Sequence, residues 1–432
     1  MKIAVLGVGY VGLVTSACFA KLGHTVIGAD NDEAKIKKLC SGHIPIYEPG
    51  LEEVVKEGEK HGRLSFTSNA KEAIKKSDVI FICVGTPPLP DGSADLSAVE
   101  KVARWTAEVM TSYKLIIEKS TVPVRTGEWV KRTISKNNKK RVGFDVASNP
   151  EFLREGTAIH DFLNPDRIVI GVDSIKAEKI MLELYKDIDA PKLVTNINTA
   201  ELIKHASNSF LSMKISFINA ISRICEKAGA DVSKIAEGMG YDKRIARAFL
   251  NAGPGFGGFC FPKDVSAFIH IAEQLGYDFH LLKSVENVNE EQKVFVVEKV
   301  RTALGHLKGK NIGVLGLAFK PNTDDTRFSP AVDIVKMLLK QGARIKAYDP
   351  EGMENAKKSL KGLKTGSDEY DTAKLADALL ILTDWEEFKN LDLSRIRKLL
   401  KKPIIVDARN LYEPVKMKKA GFKYYSIGRP LN

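Results

Sequence analysis

The segment GFGGFCFPKD, from Gly255 to Asp264, places one cysteine, Cys260, directly after a run of glycines. A thiol in such a loop can add to an aldehyde, and the thiohemiacetal carbon can then give up a hydride to form a thioester. Because water hydrolyses a thioester, the segment predicts a site that takes an alcohol through an aldehyde to an acid. The glycines would let the backbone approach a bulky ligand closely. A packed thiol is the alternative interpretation of Cys260.

Cations near the cysteine would favour its thiolate and would hold an oxyanion. Lys263 is close in sequence, and Lys204 and Asn208 are further candidates because they are four residues apart and share one face of a predicted helix. That helix runs from Thr199 to about Lys227, where apolar residues recur at helical spacing without Gly or Pro. On spacing alone, a solvated lysine is the more common interpretation of Lys204.

The first residues of the chain predict the hydride acceptor that this chemistry needs. Gly7, Gly9 and Gly12 follow a predicted strand and open a helix, and Asp30 ends the next strand. The three glycines permit a tight turn, the approach of a pyrophosphate to helix N–H groups, and close helix–strand packing. Because Asp30 would accept hydrogen bonds from the adenosine ribose and repel a 2′-phosphate, we expect NAD rather than NADP. A structural turn in a nucleotide-free domain is the alternative.

Further candidates for contact with the cofactor lie in and around this fingerprint. Tyr10 and Val11 are inside it, and Lys35 follows Asp30. Thr86 in ICVGTPP and Thr121 in EKSTVP come after two later strands, at the sheet edge where ligands of such folds bind. From position alone, the two threonines are candidates either for ligand contact or for turn capping.

The pattern along the chain predicts an α/β architecture of two Rossmann-like, doubly wound domains joined by a helical domain with a long central helix. We place the NAD-binding domain at 1–197, a helical dimerisation domain with the cysteine segment at 198–307, and a second Rossmann-like domain at 308–432. Four strand motifs repeat weakly and in order between the two outer domains. The pairs are KIAVLGVGYV with NIGVLGLAFK, HTVIGADNDE with ARIKAYDPE, SDVIFICVGT with ADALLILTDW, and LIIEKSTV with PIIVDARN.

The second Rossmann-like domain lacks the full fingerprint, since Ala318 and Phe319 stand where later glycines would fall. We therefore expect no second NAD there. Lys320 and Arg327 flank the loop KPNTDDTR, and Arg409 follows a strand. These cations could hold the phosphates of another nucleotide, or could belong to ordinary solvated loops.

Composition excludes several classes of function. The 432 residues carry a net charge of +12, but the lysines are dispersed and the basic clusters contain no interleaved aromatics, so we expect no nucleic-acid partner. A basic field also suits an anionic substrate. The five cysteines form no CxxC pair, which argues against a disulfide framework or a metal site. No apolar run approaches a membrane span and no signal peptide is recognised, so we expect a cytoplasmic protein.

Taken together, the motifs resemble the nucleotide-sugar dehydrogenases of the UDP-glucose/GDP-mannose dehydrogenase family over nearly the whole chain. Besides the glycine fingerprint, the shared motifs are IPIYEPGLEE, ICVGTPP, EKSTVPV, NPEFLREG, ELIKHASNSF, GFGGFCFPKD and GLAFKPNTDDTR. The resemblance implies oxidation of a sugar C6 alcohol to a carboxylate with two NAD and one water.

The resemblance also implies roles for individual residues. Cys260 matches the catalytic nucleophile and Lys204 the lysine that stabilises oxyanions. Asp264 matches an aspartate that assists water and proton transfers, and Asn208 an asparagine near the reacting sugar carbon. Glu151 matches the acid–base glutamate of thioester hydrolysis.

Other positions match the family's remaining contacts. Thr121 matches a threonine that positions water, and Arg244 an arginine that reaches the neighbouring subunit's substrate, which implies a homodimer through the long helix. Further cofactor contacts are implied for Lys35, Thr86, Glu155, Lys263 and Arg327. Further contacts with the nucleotide sugar are implied for Glu151, Phe152, Leu153, Phe256, Gly257, Gly258, Phe319, Lys320 and Arg409.

The identity of the sugar is less strongly specified. FPKD after the cysteine resembles the glucose branch of the family, which implies UDP-glucose; GDP-mannose and a UDP-N-acetylhexosamine are the alternatives. Asn251 stands where some members carry a basic residue, so contacts to the sugar hydroxyls can differ. A two-electron hydroxyacid dehydrogenase and a non-enzymatic nucleotide sensor are the other functions to test.

Overall fold

A computed structural model describes residues 1–430 of the chain. The chain divides into two compact units. The first unit comprises Met1–Ser207 and Ser266–Gly276, and the second comprises Asn208–Val265 and Tyr277–Asn432. Two helices contribute residues to both units. The three domain ranges predicted from the sequence stay predictions.

The first unit alternates strands and helices. Its strands are β1 (Lys2–Leu6), β2 (Thr25–Ala29), β3 (Leu64–Thr67), β4 (Val79–Ile82), β5 (Lys114–Glu118), β6 (Phe144–Ser148), β7 (Ile168–Val172) and β8 (Lys192–Thr195). Its helices are α1 (Tyr10–Lys21), α2 (Glu33–Cys40), α3 (Leu51–Lys60), α4 (Ala70–Lys76), α5 (Ser97–Val109), α6 (Thr126–Asn137), α7 (Ala158–Leu163) and α8 (Ile175–Leu184).

These strands form one sheet in the order β3-β2-β1-β4-β5-β6-β7-β8. The first six follow the doubly wound pattern, in which ligands bind beyond the carboxyl ends of the strands. All pairs are parallel except β6 with β7, which is antiparallel. The prediction of parallel sheets is therefore wrong at that one pair. Strands β4 and β5 are buried at every residue, as expected for strands covered on both faces.

Two long helices follow the first sheet in sequence. Helix α9 (Ile197–Ala228) confirms the predicted long helix and begins two residues earlier than expected. It is followed by α10 (Val232–Gly240), α11 (Cys260–Gln274) and α12 (His280–Leu304). No strand lies between β8 and the second sheet, which confirms the predicted helical region.

The second unit contains the other sheet. Its strands are β9 (Asn311–Leu315), β10 (Arg344–Tyr348), β11 (Lys364–Thr365), β12 (Ala378–Ile381), β13 (Ile404–Asp407) and β14 (Lys423–Ser426). Its remaining helices are α13 (Pro330–Lys340), α14 (Met353–Ser359), α15 (Glu369–Ala373), α16 (Glu386–Lys389), α17 (Leu393–Leu399) and α18 (Pro414–Lys419).

The two sheets have corresponding strand orders. The second runs β11-β10-β9-β12-β13-β14, all parallel, so its strands occupy the same positions as the first six of the other sheet. The four repeated sequence motifs fall on β1 and β9, β2 and β10, β4 and β12, and β5 and β13. The weak internal repeat therefore reflects two Rossmann-like sheets, and the predicted fold class is confirmed.

Within residues 1–430, no helix is both long and apolar enough to cross a membrane.

Candidate active site

The glycine fingerprint forms a tight turn between β1 and α1. Gly7 has a φ of +93°, and a Cβ there would lie 2.7 Å from the carbonyl oxygen of Cys83. A Cβ at Gly12 would lie 1.8 Å from the carbonyl oxygen of Gly7, so both positions require glycine. Gly9 caps the helix without a side chain and has open space where its Cβ would be. The first N–H groups of α1, from Tyr10 and Val11 onward, thus meet no capping side chain and suit a pyrophosphate.

Asp30 follows β2 and reaches back to the glycine turn. Its carboxylate accepts hydrogen bonds from the Val8 N–H at 3.0 Å, the Asp32 N–H at 3.0 Å and the Lys35 Nζ at 2.8 Å. A carboxylate has about four acceptor positions, so capacity remains for a ribose hydroxyl. The residues of this turn therefore fit NAD, and Lys35 lies where it orients Asp30.

The two candidate threonines come together at the ends of β4 and β5. The buried Thr86 hydroxyl donates a hydrogen bond to the carbonyl oxygen of Thr121 at 2.9 Å. Thr86 therefore links the two loops, while the side chain of Thr121 is half-buried. Contact of either threonine with a ligand stays a prediction.

Glu151 and Lys204 form a buried ion pair inside the first unit. The Lys204 Nζ lies 3.0 Å from Oε1 of Glu151, whose Oε2 accepts the Leu153 N–H at 2.6 Å. The same Nζ lies 5.4 Å from the ring centroid of Phe152. The prediction of a solvated lysine is wrong for Lys204, because the first turns of α9 are packed in the interior. Glu155 is half-buried, near enough to Tyr10 to raise the pKa of that phenol as a minor cause after burial.

Lys119 is a buried lysine that the motifs did not assign a role. Its Nζ donates to Oδ1 of Asn149 at 2.9 Å and lies 3.5 Å from the Tyr185 hydroxyl. Burial is the main reason that the pKa of Lys119 is lowered to about 8; Cys83 and Glu151 oppose the shift, and the charge of Lys204 adds to it. Its position inside the EKSTVPV motif was the only sequence signal for it.

Glu48 is a second residue without an assigned role from the sequence. Its buried carboxylate accepts the Tyr10 hydroxyl, the Gly156 N–H at 2.6 Å and the Ala158 N–H at 2.7 Å. It thus ties the fingerprint helix to the segment NPEFLREG, which carries Glu151. The shared motif IPIYEPGLEE contains Glu48, but its two backbone partners are more than a hundred residues away in sequence.

In the second unit, Cys260 is the first residue of α11 and is exposed. The prediction of a loop is wrong here, because Pro262 is tolerated in a first helical turn and the helix begins before it. Four residues on, the buried Asp264 carboxylate accepts the Asn208 Nδ2 at 2.6 Å and the Lys263 Nζ at 2.6 Å. Three predicted site residues are therefore joined around one carboxylate.

The glycines before Cys260 are packed against other backbone of the same unit. A Cβ at Gly257 would lie 2.4 Å from the carbonyl oxygen of Phe328, and one at Gly258 would lie 2.8 Å from the ring of Phe319. The glycines thus permit close packing against the segment after β9, and the approach of a ligand to them stays a prediction.

Phe256 is held by an asparagine of α12 that sequence reasoning missed. The side chain of Asn289 accepts the Phe256 N–H at 2.7 Å and donates to the Phe256 carbonyl at 3.1 Å. An amide at a position that continues the buried face of Leu282 and Val285 was the available signal.

Cations surround the residue before Cys260. The ring centroid of Phe259 lies 4.3 Å from the Arg327 guanidinium carbon and 5.6 Å from the Lys263 Nζ. Arg327 is also paired with Asp325 at 2.6 Å. Two predicted cofactor contacts are thus neighbours within the second unit.

Arg409 and Lys320 both meet Phe319 at the end of β9. The Arg409 guanidinium donates to the carbonyl oxygens of Leu382 and Phe319, each at 2.8 Å. The Lys320 Nζ lies 5.6 Å from the Phe319 ring centroid. Arg409 therefore braces two loops at the carboxyl edge of the second sheet, where ligands of such sheets bind.

The buried carboxylate of Asp349 occupies the turn that corresponds to the glycine fingerprint. It accepts the N–H groups of Leu317 at 2.7 Å and Ala318 at 2.9 Å, and the Trp385 Nε1 at 3.2 Å. Asp349 therefore binds this turn as Asp30 binds the glycine turn, and it accepts one further backbone donor, the Ala318 N–H.

The second unit also presents exposed residues on α9 and in the turn after α10. Phe210, Phe217 and Ile224 are 58%, 48% and 60% exposed and recur every seven residues. The Arg244 side chain is 89% exposed and is paired with Asp242 at 2.6 Å.

Comparisons with known proteins agree over the whole chain. Three models of the UDP-glucose/GDP-mannose dehydrogenase family match: the NAD binding domain at residues 1–189, the central domain at 198–291 and the UDP binding domain at 313–414. The chain is 51% identical to UDP-glucose 6-dehydrogenase TuaD of Bacillus subtilis, covering 99% of this chain and 93% of that protein. It is 49% identical to UDP-glucose 6-dehydrogenase of Rhizobium meliloti, covering 100% of both.

A solved structure is similar over nearly the same length. It is a UDP-glucose dehydrogenase from the hyperthermophilic archaeon Pyrobaculum islandicum, with a TM-score of 0.93 and 43% identity, covering 99% of this chain and 97% of that one.

Proposed function

The chain belongs to the UDP-glucose/GDP-mannose dehydrogenase family, and from that membership we propose that it oxidises the C6 alcohol of UDP-glucose to UDP-glucuronate. The proposed identity of the substrate is supported by the 51% and 49% sequence identity of the chain to two proteins named UDP-glucose 6-dehydrogenase, over nearly complete lengths. NAD, when bound at the glycine turn, accepts one hydride in each of two oxidations. One water supplies the second carboxylate oxygen.

The covalent part of the proposed mechanism rests on Cys260. The thiolate adds to the C6 aldehyde, so that a sulfur–carbon bond forms and the carbonyl oxygen becomes an alkoxide. When a hydride leaves that carbon, the carbonyl re-forms as a thioester. Water then adds, a base takes its proton, and the sulfur–carbon bond breaks to release the carboxylate and the thiolate.

The position of Cys260 supports this role. It begins α11, a helix of 15 residues, and the N-terminal end of a helix favours negative charge. Asp264, on the same helix, is held by Asn208 and Lys263, and its carboxylate can therefore orient a donor such as water. The side chain of Cys260 is exposed, as a nucleophile must be.

Lys204 and Glu151 supply the charges for the proposed oxyanion and water steps. The Lys204 ammonium, buried at the start of α9, would stabilise the alkoxide more strongly than a solvated cation because little water screens it. Glu151 would take the proton of the attacking water, with Thr121 positioning that water. The 3.0 Å ion pair supports these two roles, since each charge stabilises the other in the interior.

We also propose a homodimer. The exposed apolar side chains Phe210, Phe217 and Ile224 lie at seven-residue spacing on α9, which suits packing against a second copy of the same helix. Arg244, whose side chain is highly exposed, would contribute to the partner's substrate site. Sedimentation of the wild type as a dimer and of Phe217→Lys as a monomer would support the proposal, and a monomeric wild type would refute it.

The deciding experiment counts NADH formed for each UDP-glucose consumed, with NAD in excess. A ratio near two with UDP-glucuronate as product supports both the substrate and the covalent route. A ratio near one means that oxidation stops at the aldehyde and refutes the role of Cys260. If no NADH forms, GDP-mannose and the UDP-N-acetylhexosamines are tested next.

A further inference from the structure

Two carboxyl groups are buried against each other in the first unit. Glu118 is the last residue of β5 and Glu201 lies in the second turn of α9; they are 1% and 2% exposed. A Cβ at Gly127 would lie 3.3 Å from Oε2 of Glu118 and 3.5 Å from Oε1 of Glu201, so both groups face one point. The two carboxyl groups are near enough for each to shift the pKa of the other.

Glu201 also binds the beginning of α6. Its Oε2 accepts the Arg125 N–H at 2.7 Å and its Oε1 accepts the Gly127 N–H at 2.8 Å. Arg125 precedes the helix with a φ of 73°, a left-handed conformation that is unfavourable for a residue with a side chain. Glu201 is thus the anion at a helix N-terminus and stabilises a strained turn there.

Glu118 has a different set of contacts. Among residues 1–430, neither of its buried oxygens has a hydrogen-bond partner. Two carboxylates cannot bond to each other, because neither has a hydrogen to donate. A proton on Glu118 would let that carboxyl donate a hydrogen bond to Glu201 and would give a buried, unpartnered group its partner. Burial is the main cause that raises the pKa of Glu118 far above its usual range and that of Glu201 to about 7.

The surrounding charges do not neutralise the pair. Neither carboxyl has a salt-bridge partner in the part of the chain that the structure describes. On α6, Glu128 adds negative charge that raises the pKa of Glu201, and it accepts a hydrogen bond from Asn198. The nearby cationic or titratable groups contact other partners. Lys119 donates to Asn149, and Lys204 pairs with Glu151. The His205 Nε2 contacts the Val122 carbonyl, and Arg125 is exposed.

We propose that Glu118 and Glu201 share one proton and act together as positioning residues for the reaction. They join the segment of α9 that carries Lys204 to the loop after β5 that carries Thr121. This inference rests on the proposed function for its consequence in catalysis, but the sharing of the proton does not. Neither residue is assigned a contact with substrate or cofactor.

The shared proton makes the contact between Glu118 and Glu201 sensitive to pH. Unfolded glutamates titrate near a pKa of about 4.3. Above that pH the folded protein binds more protons at this pair than the unfolded chain does, so the pair's contribution to stability falls as pH rises. Loss of the last proton would leave two negative charges in contact.

Two amide substitutions separate the roles of the two residues. Glu118→Gln keeps a donor toward Glu201 that needs no added proton. Glu201→Gln has only one acceptor oxygen and cannot accept both backbone N–H groups. Glu53→Gln, at an exposed glutamate of α3, is the matched control. Infrared spectra at about pH 7.5 report the carbonyl band of a protonated carboxyl, and thermal unfolding from about pH 6 to 9 reports the linked proton.

We expect the carbonyl band in the wild type and its loss in Glu118→Gln. The unfolding midpoint of the wild type should fall by about 5 °C or more over this pH range, and by less than half as much in Glu118→Gln. Glu201→Gln should lower kcat about tenfold or more, while KM for NAD stays within about twofold. Glu53→Gln should leave both the band and kcat unchanged.

A spectrum without the band, or equal pH slopes for wild type and Glu118→Gln, would overturn the shared proton. A wild-type kcat in Glu201→Gln would overturn the positioning role. If Glu201→Gln does not fold, Glu118→Leu replaces it, since it removes the donor and should also lower kcat. If the wild type oxidises no nucleotide sugar, the proposed function fails, and the band still decides the shared proton.

Discussion

The Nζ of Lys204 lies 3.0 Å from Oε1 of Glu151, and the two side chains are only 5% and 6% exposed. They come from α9 and from the segment after β6, 53 residues apart in sequence. A buried ion pair of this kind contributes little net stability, but removing one partner leaves an uncompensated charge in the interior. Stability and activity should therefore respond differently to substitution of the two partners.

Lys204→Met should lower the free energy of unfolding by about 3 kcal/mol, because Glu151 would then be buried without its partner. It should also lower kcat about a hundredfold or more, because a preorganised cation is lost. Denaturant unfolding and steady-state NADH formation measure the two effects.

The double variant Lys204→Met with Glu151→Gln is the control for this prediction. It should regain most of the stability, because neither charge remains, and should regain none of the activity. Activity that recovers together with stability would show that the pair is structural only.

Cys260→Ser should abolish UDP-glucuronate formation while leaving the fold intact, because a hydroxyl at this position is a poor nucleophile compared with a thiolate. Product analysis after long incubation measures the effect. Cys40→Ser, at another exposed cysteine, is the matched control and should retain full turnover. Acid production at the normal rate by Cys260→Ser would exclude the covalent route.

The fold could be predicted from sequence because its signals are local. Gly7, Gly9 and Gly12 lie within six residues and mark one turn, and the apolar strands around it are continuous. The weak repeat identified the second sheet for the same reason. By contrast, the antiparallel pairing of β6 with β7 depends on where the chain turns back after Glu151, which no local pattern records.

The site was predicted less completely because its supporting contacts are long-range. Glu48 contacts Gly156 across 108 residues, and Glu201 contacts Arg125 across 76. Sequence patterns can show that a carboxylate is present, but not that a distant backbone N–H will satisfy it. The start of α11 at Cys260 was missed because the glycines before it suggested a loop.

Glu48→Ala should lower kcat/KM for NAD about tenfold or more, because two buried backbone N–H groups, of Gly156 and Ala158, would lose their acceptor. The segment that carries Glu151 would then be held less firmly. Glu48→Gln keeps one acceptor and should lose less. Glu52→Gln, on the exposed face of α3, is the control and should match the wild type; equal kcat/KM in Glu48→Ala would show that Glu48 positions nothing that the reaction uses.

For Lys119 we predict a contribution to stability that changes with pH in the opposite direction to that of Glu118. Burial lowers the pKa of Lys119 to about 8, below the value of about 10.4 for an unfolded lysine. Between these values the folded protein binds fewer protons than the unfolded chain, so the contribution of Lys119 to stability increases as pH rises. The free energy of unfolding of the wild type, minus that of Lys119→Met, should therefore increase by about 2 kcal/mol from about pH 7.5 to 9.5.

Urea unfolding at several pH values measures this difference, and Lys131→Met, at a half-exposed lysine of α6, is the control whose difference should stay flat. If the difference in free energy of unfolding for Lys119→Met also stays constant with pH, the Lys119 ammonium keeps an ordinary affinity for its proton. An increase confined to Lys119→Met would show that the EKSTVPV motif holds a lysine ready to lose its charge just above neutral pH. Such a lysine lies beside the Asn149 amide that begins NPEFLREG, so its loss of charge should also weaken the hold on the segment that carries Glu151.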